Sequence, residues 1–182
     1  MRLRTAALAV AATLLAVPAA HATTGGLPIA QSDPAGDVNI FDGGGTKPTT
    51  GQRRTIDLTR FAVTRGEGGV RFVFKIARIT GAKTFDQVVS VQFQKTGPDG
   101  FVLDVLANPQ HKNATAYSEN TACLADVTTS LRTGTVRVDV PDECVPRGSG
   151  VLRVSTYTQE KNGSGPGFSE DTMRVRGTVA LR

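Results

Sequence analysis

Aromatic and sulfur-containing side chains are scarce in this sequence of 182 residues. It has no tryptophan, two tyrosines, two cysteines and two histidines, of which only His111 lies beyond residue 22. A structural zinc site takes about four cysteine or histidine ligands. The two cysteines and one histidine beyond position 22 are too few to build one. No Cys-x-x-Cys spacing is present, which argues against a thioredoxin-like redox motif.

Catalytic motifs are also missing. The sequence contains no Gly-x-Ser-x-Gly elbow and no histidine-rich metal motif. We therefore predict that the protein is not an enzyme and has no catalytic residues. The alternative is a secreted hydrolase with a site assembled across loops, because triads and carboxylate pairs are defined by geometry. Such a site would draw on His111 or on acids such as Glu170 and Asp171, which the pattern places at the solvated start of a strand.

Only the N-terminus carries a long apolar run. It extends from about Thr5 to Val17, follows Arg2 and Arg4, and precedes the small-residue triplet Ala20-His21-Ala22. This is the pattern of a secretory signal peptide. We predict a signal peptide at residues 1–22, secretion of the remaining chain, and no membrane insertion after cleavage. No later run approaches the roughly 20 apolar residues that a transmembrane helix requires.

The positive charge of the sequence is modest and dispersed. Removing Arg2 and Arg4 with the signal peptide lowers the formal net charge from +5 to +3. The remaining basic residues are scattered through predicted strands, and only Arg53-Arg54 forms a doublet. A nucleic-acid-binding protein would concentrate them in one patch. We expect solvated sheet faces and no nucleic-acid partner.

Strand patterns dominate the chain after residue 55. In Val70–Ile76 every second residue is apolar, and the same period of two recurs in Val136–Val140. Gly- and Pro-rich turns separate these segments, which is typical of antiparallel hairpins. The sequence predicts an all-β fold, a single antiparallel β-sandwich. Its body is residues 56–182, and residues 23–55 form a leading strand and a Gly/Pro/Thr-rich loop. The alternation slips near Thr59-Arg60, which predicts a β-bulge.

Two cysteines remain in the exported chain. Cys123 and Cys144 enclose about 20 residues, and a secreted protein is exposed to oxidising conditions. We predict a disulfide between them. In the chain-entropy model a loop of this size contributes about 3 kcal/mol to the free energy of unfolding.

Two groups of residues carry a family resemblance. The segment Asp33-Pro-Ala-Gly-Asp37, followed by a Gly-rich gap and Ile56-Asp-Leu58, resembles the opening of DOMON-like and family 9 carbohydrate-binding-like β-sandwiches. The stretch from Val136 to Val154, which includes Cys144, is similar to small secreted actinobacterial proteins of unassigned function. The resemblance implies a calcium-holding loop with Asp33 and Asp37 as ligands, and Asp42 as a possible addition.

The same acidic loop has two interpretations from its own chemistry. Calcium takes six to eight oxygen ligands, and Asp33, Asp37 and Asp42 offer carboxylates while Pro34 and Gly36 favour a tight turn. The spacing is not that of an EF-hand. Asp-Pro turns with self-capping carboxylates explain the same residues without a metal. Calcium is therefore the cofactor that this loop suggests, and a purely structural turn stays open.

Ligand-binding residues are few. Sugar-binding relatives stack the sugar on exposed aromatic rings, for which Tyr117, Tyr157 and Phe168 are the weak candidates here. Haem-binding DOMON relatives use methionine and histidine ligands, which would be Met173 and His111. The pattern places Met173 in the core and His111 in a polar loop. We predict a secreted, non-catalytic binding or surface-interaction module, with carbohydrate or cell-surface material as its partner.

Overall fold

The computed structural model describes residues 26–40, 49–81, 85–96, 101–118, 121–160 and 169–182. Twelve strands and two short helices lie within these ranges. The strands are β1 (Ile29–Ser32), β2 (Asn39–Ile40), β3 (Leu58–Gly66), β4 (Gly69–Ile76), β5 (Phe85–Lys95), β6 (Phe101–Asn108), β7 (Asn113–Ser118), β8 (Thr121–Ser130), β9 (Thr135–Pro141), β10 (Ser149–Glu160), β11 (Ser169–Arg174) and β12 (Val179–Ala180). Helix α1 spans Thr50–Arg53, and a 3₁₀ helix spans Asp142–Cys144.

All the strands join one antiparallel sheet. Its order is β1-β3-β4-β9-β8-β7-β6-β5-β10-β11-β2, and β12 pairs with β10. Strand β8 pairs with β7 through Thr121–Ala125 and with β9 through Asp126–Ser130, so the sheet turns a corner along β8. We call β1, β3, β4 and β9 the first half-sheet, and β7, β6, β5, β10, β11 and β2 the second. The predicted all-β, antiparallel fold is confirmed.

Apolar side chains of the two half-sheets form one core. Burying each such side chain stabilises the fold by roughly 1.5–3 kcal/mol, and the period of two places one in the core at every second residue. The two half-sheets contribute Phe61, Val63, Phe72, Phe74, Val136, Val138, Val89, Val91, Phe93, Leu103, Val105, Leu152 and Val154 to this core. Within the first half-sheet, the ring of Phe61 meets that of Phe74 edge to face, with centroids 5.4 Å apart.

The strand pairing confirms one local prediction, the β-bulge. The register between β3 and β4 shifts between Leu58 and Arg60, where the sequence predicted a bulge. The extra residue keeps both Leu58 and Phe61 in the core, although they are three positions apart.

A disulfide links Cys123 and Cys144, as predicted, with their Cα atoms 6.4 Å apart. Cys123 lies on β8 and Cys144 at the end of the 3₁₀ helix that follows β9. The bond therefore joins β8, the corner strand of the sheet, to the segment that follows its neighbouring strand β9.

The leading segment crosses from one half-sheet to the other. Strand β1 pairs with β3, whereas β2, only seven residues further on, pairs with β11. Gln31 on β1 adds a link between the half-sheets. Its side-chain amide donates to the carbonyl of Arg174 at 3.1 Å, and its side-chain oxygen accepts from the amide of Arg176 at 3.0 Å. The side of the sandwich opposite β8 is thus held by β1 and the turn that follows it.

Helix α1 is a feature that the strand patterns did not predict. Thr49 and Gln52 form a reciprocal capping box, in which the Gln52 amide donates to the Thr49 hydroxyl at 3.3 Å and the Thr49 amide donates to the Gln52 side chain at 2.7 Å. Among the described residues, no helix is long and apolar enough to cross a membrane.

Candidate metal centre

The interior of the sandwich becomes polar at one end. Along β10, the inward-facing residues change from the apolar Leu152 and Val154 to the polar Thr156 and Thr158. Along β11, the polar residues Ser169 and Asp171 precede Met173 on the same face. These hydroxyl groups and this carboxyl group are buried. Buried polar groups require hydrogen-bond partners, and buried charges require a counter-charge or a metal ion. This end of the core is therefore the place to look for a binding site.

The turn that follows β1 closes the polar end. The Asp33 amide donates to the Thr59 carbonyl at 3.0 Å, and the Gly36 amide donates to the Asp57 carboxylate at 3.0 Å. Gly36 has φ +86°, a left-handed conformation that glycine adopts without strain. The bond from Gly36 to Asp57 therefore fixes how Asp33 and Asp37 approach the core.

Asp171 reaches the same place from β11. Only 2% of Asp171 is exposed, and its Oδ2 accepts a hydrogen bond of 2.7 Å from the Leu58 amide at the start of β3. The interpretation of Glu170-Asp171 as a solvated start of a strand is therefore wrong for Asp171. Adjacent strand residues face opposite sides of a sheet, and Asp171 takes the inner side.

Three carboxyl groups converge at this point. Asp33, Asp37 and Asp171 each place one oxygen within 4.8 Å of those of the other two. Asp57 is also nearly buried, 6% exposed, and holds the turn beside them. Asp33 Oδ2 is buried and has no hydrogen-bond partner among the described residues. A buried carboxylate oxygen without a hydrogen-bond donor can be satisfied by a proton or by a bound cation.

Crowding of carboxylates changes their acidity. Burial raises the pKa of Asp33 to about 6, and the charges of Asp37 and Asp57 add to this rise. The pKa of Asp171 is raised to about 7, chiefly by burial. The hydrogen bond from the Leu58 amide opposes this rise, and the carboxylates of Asp33, Asp37 and Asp57 contribute to it. Like charges held close together make ionisation unfavourable. Near neutral pH, the group must therefore hold protons, bear repulsion or bind a cation.

The donor set indicates which cation would fit. Every donor is a carboxylate oxygen, and one donor is exposed, so an ion could enter from solvent. Hard cations such as Ca²⁺ prefer oxygen ligands, whereas zinc and copper sites favour nitrogen and sulfur. Of the predicted ligands, Asp33 and Asp37 lie in the cluster, and Asp42 lies outside the described residues. The sequence prediction missed Asp57 and Asp171 as members of the site.

Replacing Gly36 by alanine is expected to lower the free energy of unfolding by about 1 kcal/mol, because alanine is strained at positive φ. A Cβ atom at Gly36 would meet nothing within 4 Å, so the cost is conformational rather than steric. Urea denaturation measures the change. Gly81→Ala is the matched control, since position 81 is equally open but has no positive φ. Equal effects in the two variants would contradict the role of the left-handed turn.

Two of the predicted ligand-binding aromatics, Tyr117 and Tyr157, do not join the carboxyl cluster. Tyr117 on β7 is 50% exposed, and Tyr157 on β10 is half-buried. Both lie on the outer face of the second half-sheet, because their strand neighbours Ala116, Thr156 and Thr158 are buried in the interior. Burial and the nearby acidic groups Asp104 and Glu170 raise the pKa of Tyr157. Phe168 lies outside the described residues.

The structure places the residues of the haem and hydrolase alternatives in different surroundings. Met173 is buried in the core, as predicted. His111 is half-exposed in the turn between β6 and β7, and its Nε2 lies 3.1 Å from Asp86 Oδ1. The imidazole is thus part of a surface ion pair when it is protonated.

Comparisons of this chain with protein-family models, with curated proteins and with solved structures found no match.

Proposed function

We propose that this protein is a secreted, non-catalytic binding module of the DOMON-like or family 9 carbohydrate-binding-like kind, in which calcium stabilises the turn between β1 and β2. The observation that carries the calcium proposal is the convergence of Asp33, Asp37 and Asp171 within 4.8 Å at a polar end of the core. Asp57 adds a fourth carboxyl group beside them. A divalent cation would offset repulsion that the fold otherwise leaves uncompensated.

Two further features support an extracytoplasmic setting. The disulfide between Cys123 and Cys144 suits an oxidising compartment, and residues 1–22 have the pattern of a signal peptide. Calcium is abundant outside cells, where modules bind it with dissociation constants of about 10⁻⁴–10⁻³ M. In this role the ion would be structural. It would link the turn after β1 to β11 and so hold the two half-sheets together.

The residues assigned to the ion are Asp33, Asp37 and Asp171. The unpartnered Asp33 Oδ2 fits this assignment, because a buried carboxylate oxygen without a donor is a suitable ligand. Asp57 is assigned to the turn rather than to the ion, since its Oδ1 already accepts from Gly36.

Calcium is expected to raise the melting temperature of the mature chain, residues 23–182, by several degrees. A ligand that binds only the native state stabilises it by about 2.7 kcal/mol at a concentration 100 times its dissociation constant. Thermal unfolding with calcium, with magnesium and with a chelator measures the shift. The variant Asp33→Asn/Asp37→Asn is expected to lose it.

The matched control removes two exposed acids elsewhere, Glu67→Gln/Glu143→Gln, and should keep the calcium response. Absence of a calcium shift in the unmodified protein would refute the metal site and leave the structural turn. A shift that persists in the Asp33→Asn/Asp37→Asn variant would place the ion elsewhere.

A further inference from the structure

The outer face of the second half-sheet carries a row of polar side chains, one on each of five neighbouring strands. Strand pairing aligns Tyr117 on β7 with Asp104 on β6, then Gln92 on β5, Arg153 on β10 and Arg174 on β11. We call these five residues the outer row. Neighbouring strands lie about 4.8 Å apart, so the row extends about 19 Å across the sheet. It lies on the opposite side of the sheet from the core.

Two arginines occupy one end of the outer row. Arg153 and Arg174 are directly opposite each other in the register of β10 and β11, and both are exposed. Like charges in this position destabilise a sheet. Neither guanidinium has a carboxylate within ion-pair distance among the described residues, whereas Arg65 pairs with Asp142 and Arg71 with Asp139, each at 2.7 Å.

A depression lies beside the two arginines. Its volume is about 360 Å³, and its polar lining comes from Gln92, Gln94, Arg153, Thr172 and Arg174. Ligand pockets for small molecules begin at roughly 300 Å³. The guanidinium group offers paired donors that match carboxylate or sulfate oxygens, and the glutamine and threonine side chains can bond to hydroxyl groups. The depression is therefore suited to an anionic, hydroxyl-bearing group.

The rest of the outer row has a different character. Asp104 is an acid, and its repulsion would keep a second anionic group away from the centre of the row. Burial raises the pKa of Asp104, and its Oδ1 has no partner among the described residues. Tyr117 at the far end presents a half-exposed ring beside Asn113 and Thr115. An aromatic face flanked by hydrogen-bonding groups fits a ring with an apolar side and hydroxyl groups.

This order of charges distinguishes between polyanions. A nucleic acid carries a phosphate at every nucleotide and would place negative charge over Asp104. An acidic polysaccharide can place a charged sugar over the arginines and an uncharged sugar further along. Glu170, a further acid on this face, lies four residues from Arg174 along β11 and accepts a hydrogen bond of 2.8 Å from the Thr172 hydroxyl.

We propose that the outer row binds an acidic polysaccharide, with a carboxylate or sulfate group on Arg153 and Arg174 and a sugar ring on Tyr117. This inference rests on the proposed binding role but not on the calcium site, which lies inside the sandwich. Arg153 and Arg174 supply most of the affinity, Gln92 and Thr172 orient the charged sugar, and Tyr117 selects a sugar polymer over other polyanions.

The test is titration of the calcium-loaded mature chain with defined oligosaccharides at physiological salt. Hexagalacturonate carries carboxylates, a heparin-derived hexasaccharide carries sulfates, maltohexaose is neutral, and single-stranded DNA is the phosphate polyanion. We expect one of the two acidic sugars to bind, and the arm that binds identifies the anion. The variant Arg153→Gln/Arg174→Gln should weaken that binding roughly tenfold or more, because charge-assisted hydrogen bonds are lost. Tyr117→Ala should also weaken it.

The matched controls are Arg132→Gln/Arg137→Gln, which removes the same charge from exposed positions elsewhere, and Leu131→Ala, which removes another exposed apolar side chain. Both should bind like the unmodified protein. Equal losses in the two arginine variants, or DNA binding as tight as sugar binding, would overturn the proposal. Absence of binding to either acidic sugar, in protein that still shows the calcium shift, would overturn this inference alone. The melting temperature of each variant verifies that it folds.

Discussion

Replacing Asp171 by asparagine is expected to stabilise the calcium-free protein at pH 7.5 and to abolish its response to calcium. A buried carboxylate substitution normally destabilises a protein, so an increase would be diagnostic. The reason is that Asp171 is 2% exposed and close to the carboxyl groups of Asp33 and Asp37. Ionising it in the folded state costs free energy that the unfolded chain does not bear.

The size of the expected stabilisation follows from the raised pKa of Asp171. The pKa of Asp171 is raised from its ordinary value of 3.8 to about 7, and each pKa unit corresponds to about 1.4 kcal/mol. Asparagine removes this cost and keeps an oxygen for the Leu58 amide. We expect a gain on the order of 4 kcal/mol and an increase in melting temperature of roughly 10 °C for a chain of this size.

The measurement is urea denaturation and thermal unfolding, each with and without calcium. Glu170→Gln is the matched control, because Glu170 is the adjacent acid on the outer side of β11. It should change neither the calcium-free stability nor the calcium shift by much. An Asp171→Asn variant that is less stable without calcium would show that Asp171 is not under charge repulsion. A variant that responds to calcium as the unmodified protein does would show that Asp171 is not a ligand.

The second large effect is a reversal of pH dependence by calcium. Without calcium, the raised pKa values of Asp33, about 6, and Asp171, about 7, mean that the folded protein keeps protons that the unfolded chain releases near pH 4. Stability falls with rising pH wherever the folded state binds more protons. The free energy of unfolding should therefore decrease between about pH 4 and pH 7 and level off above.

Asp171 alone accounts for about 4 kcal/mol of this decrease, since its pKa is raised by about three units. With saturating calcium, the ion competes with protons for the same oxygens and favours the ionised groups. Stability should then increase with pH over the same interval. The two curves are expected to converge at acidic pH, where protons displace the ion, and to separate most at neutral pH.

Urea denaturation at several pH values, in metal-depleted and in calcium-containing buffer, tests this reversal. The variant Asp33→Asn/Asp171→Asn serves as the comparison, because it lacks both raised groups and should show a flatter calcium-free curve. Calcium-free stability that increases from pH 4.5 to pH 7.5 would contradict the predicted sign. Parallel curves with and without calcium would mean that the ion does not bind at these carboxyl groups.

Local sequence patterns predicted much of the fold. The alternation in Val70–Ile76 and Val136–Val140 identified strands and their inward faces, because side chains on a strand point to opposite sides in turn. The slip between Leu58 and Phe61 located the bulge, since an extra residue restores the period. These are properties of neighbouring residues and require no knowledge of the rest of the chain.

The candidate site was predicted only in part. Asp33 and Asp37 were found because Pro34 and Gly36 mark a turn between them. Asp171 was misinterpreted because it stands beside Glu170, and two adjacent acids suggest a solvated segment. The alternation of Asp171 with Met173 was the available signal, since Met173 was already assigned to the core. Asp57 gave a weaker signal, because its role depends on an amide 21 positions away.

The sequence by itself determined the strands, their inward faces, the cysteine pair and the acidic turn, because each depends on the identity or spacing of nearby residues. Only the tertiary structure decided the strand order, the corner along β8 and the meeting of Asp33 with Asp171. Backbone hydrogen bonds are alike at every residue, so they do not specify which strands pair. Contacts such as that between Leu58 and Asp171, 113 positions apart, follow from packing the whole core.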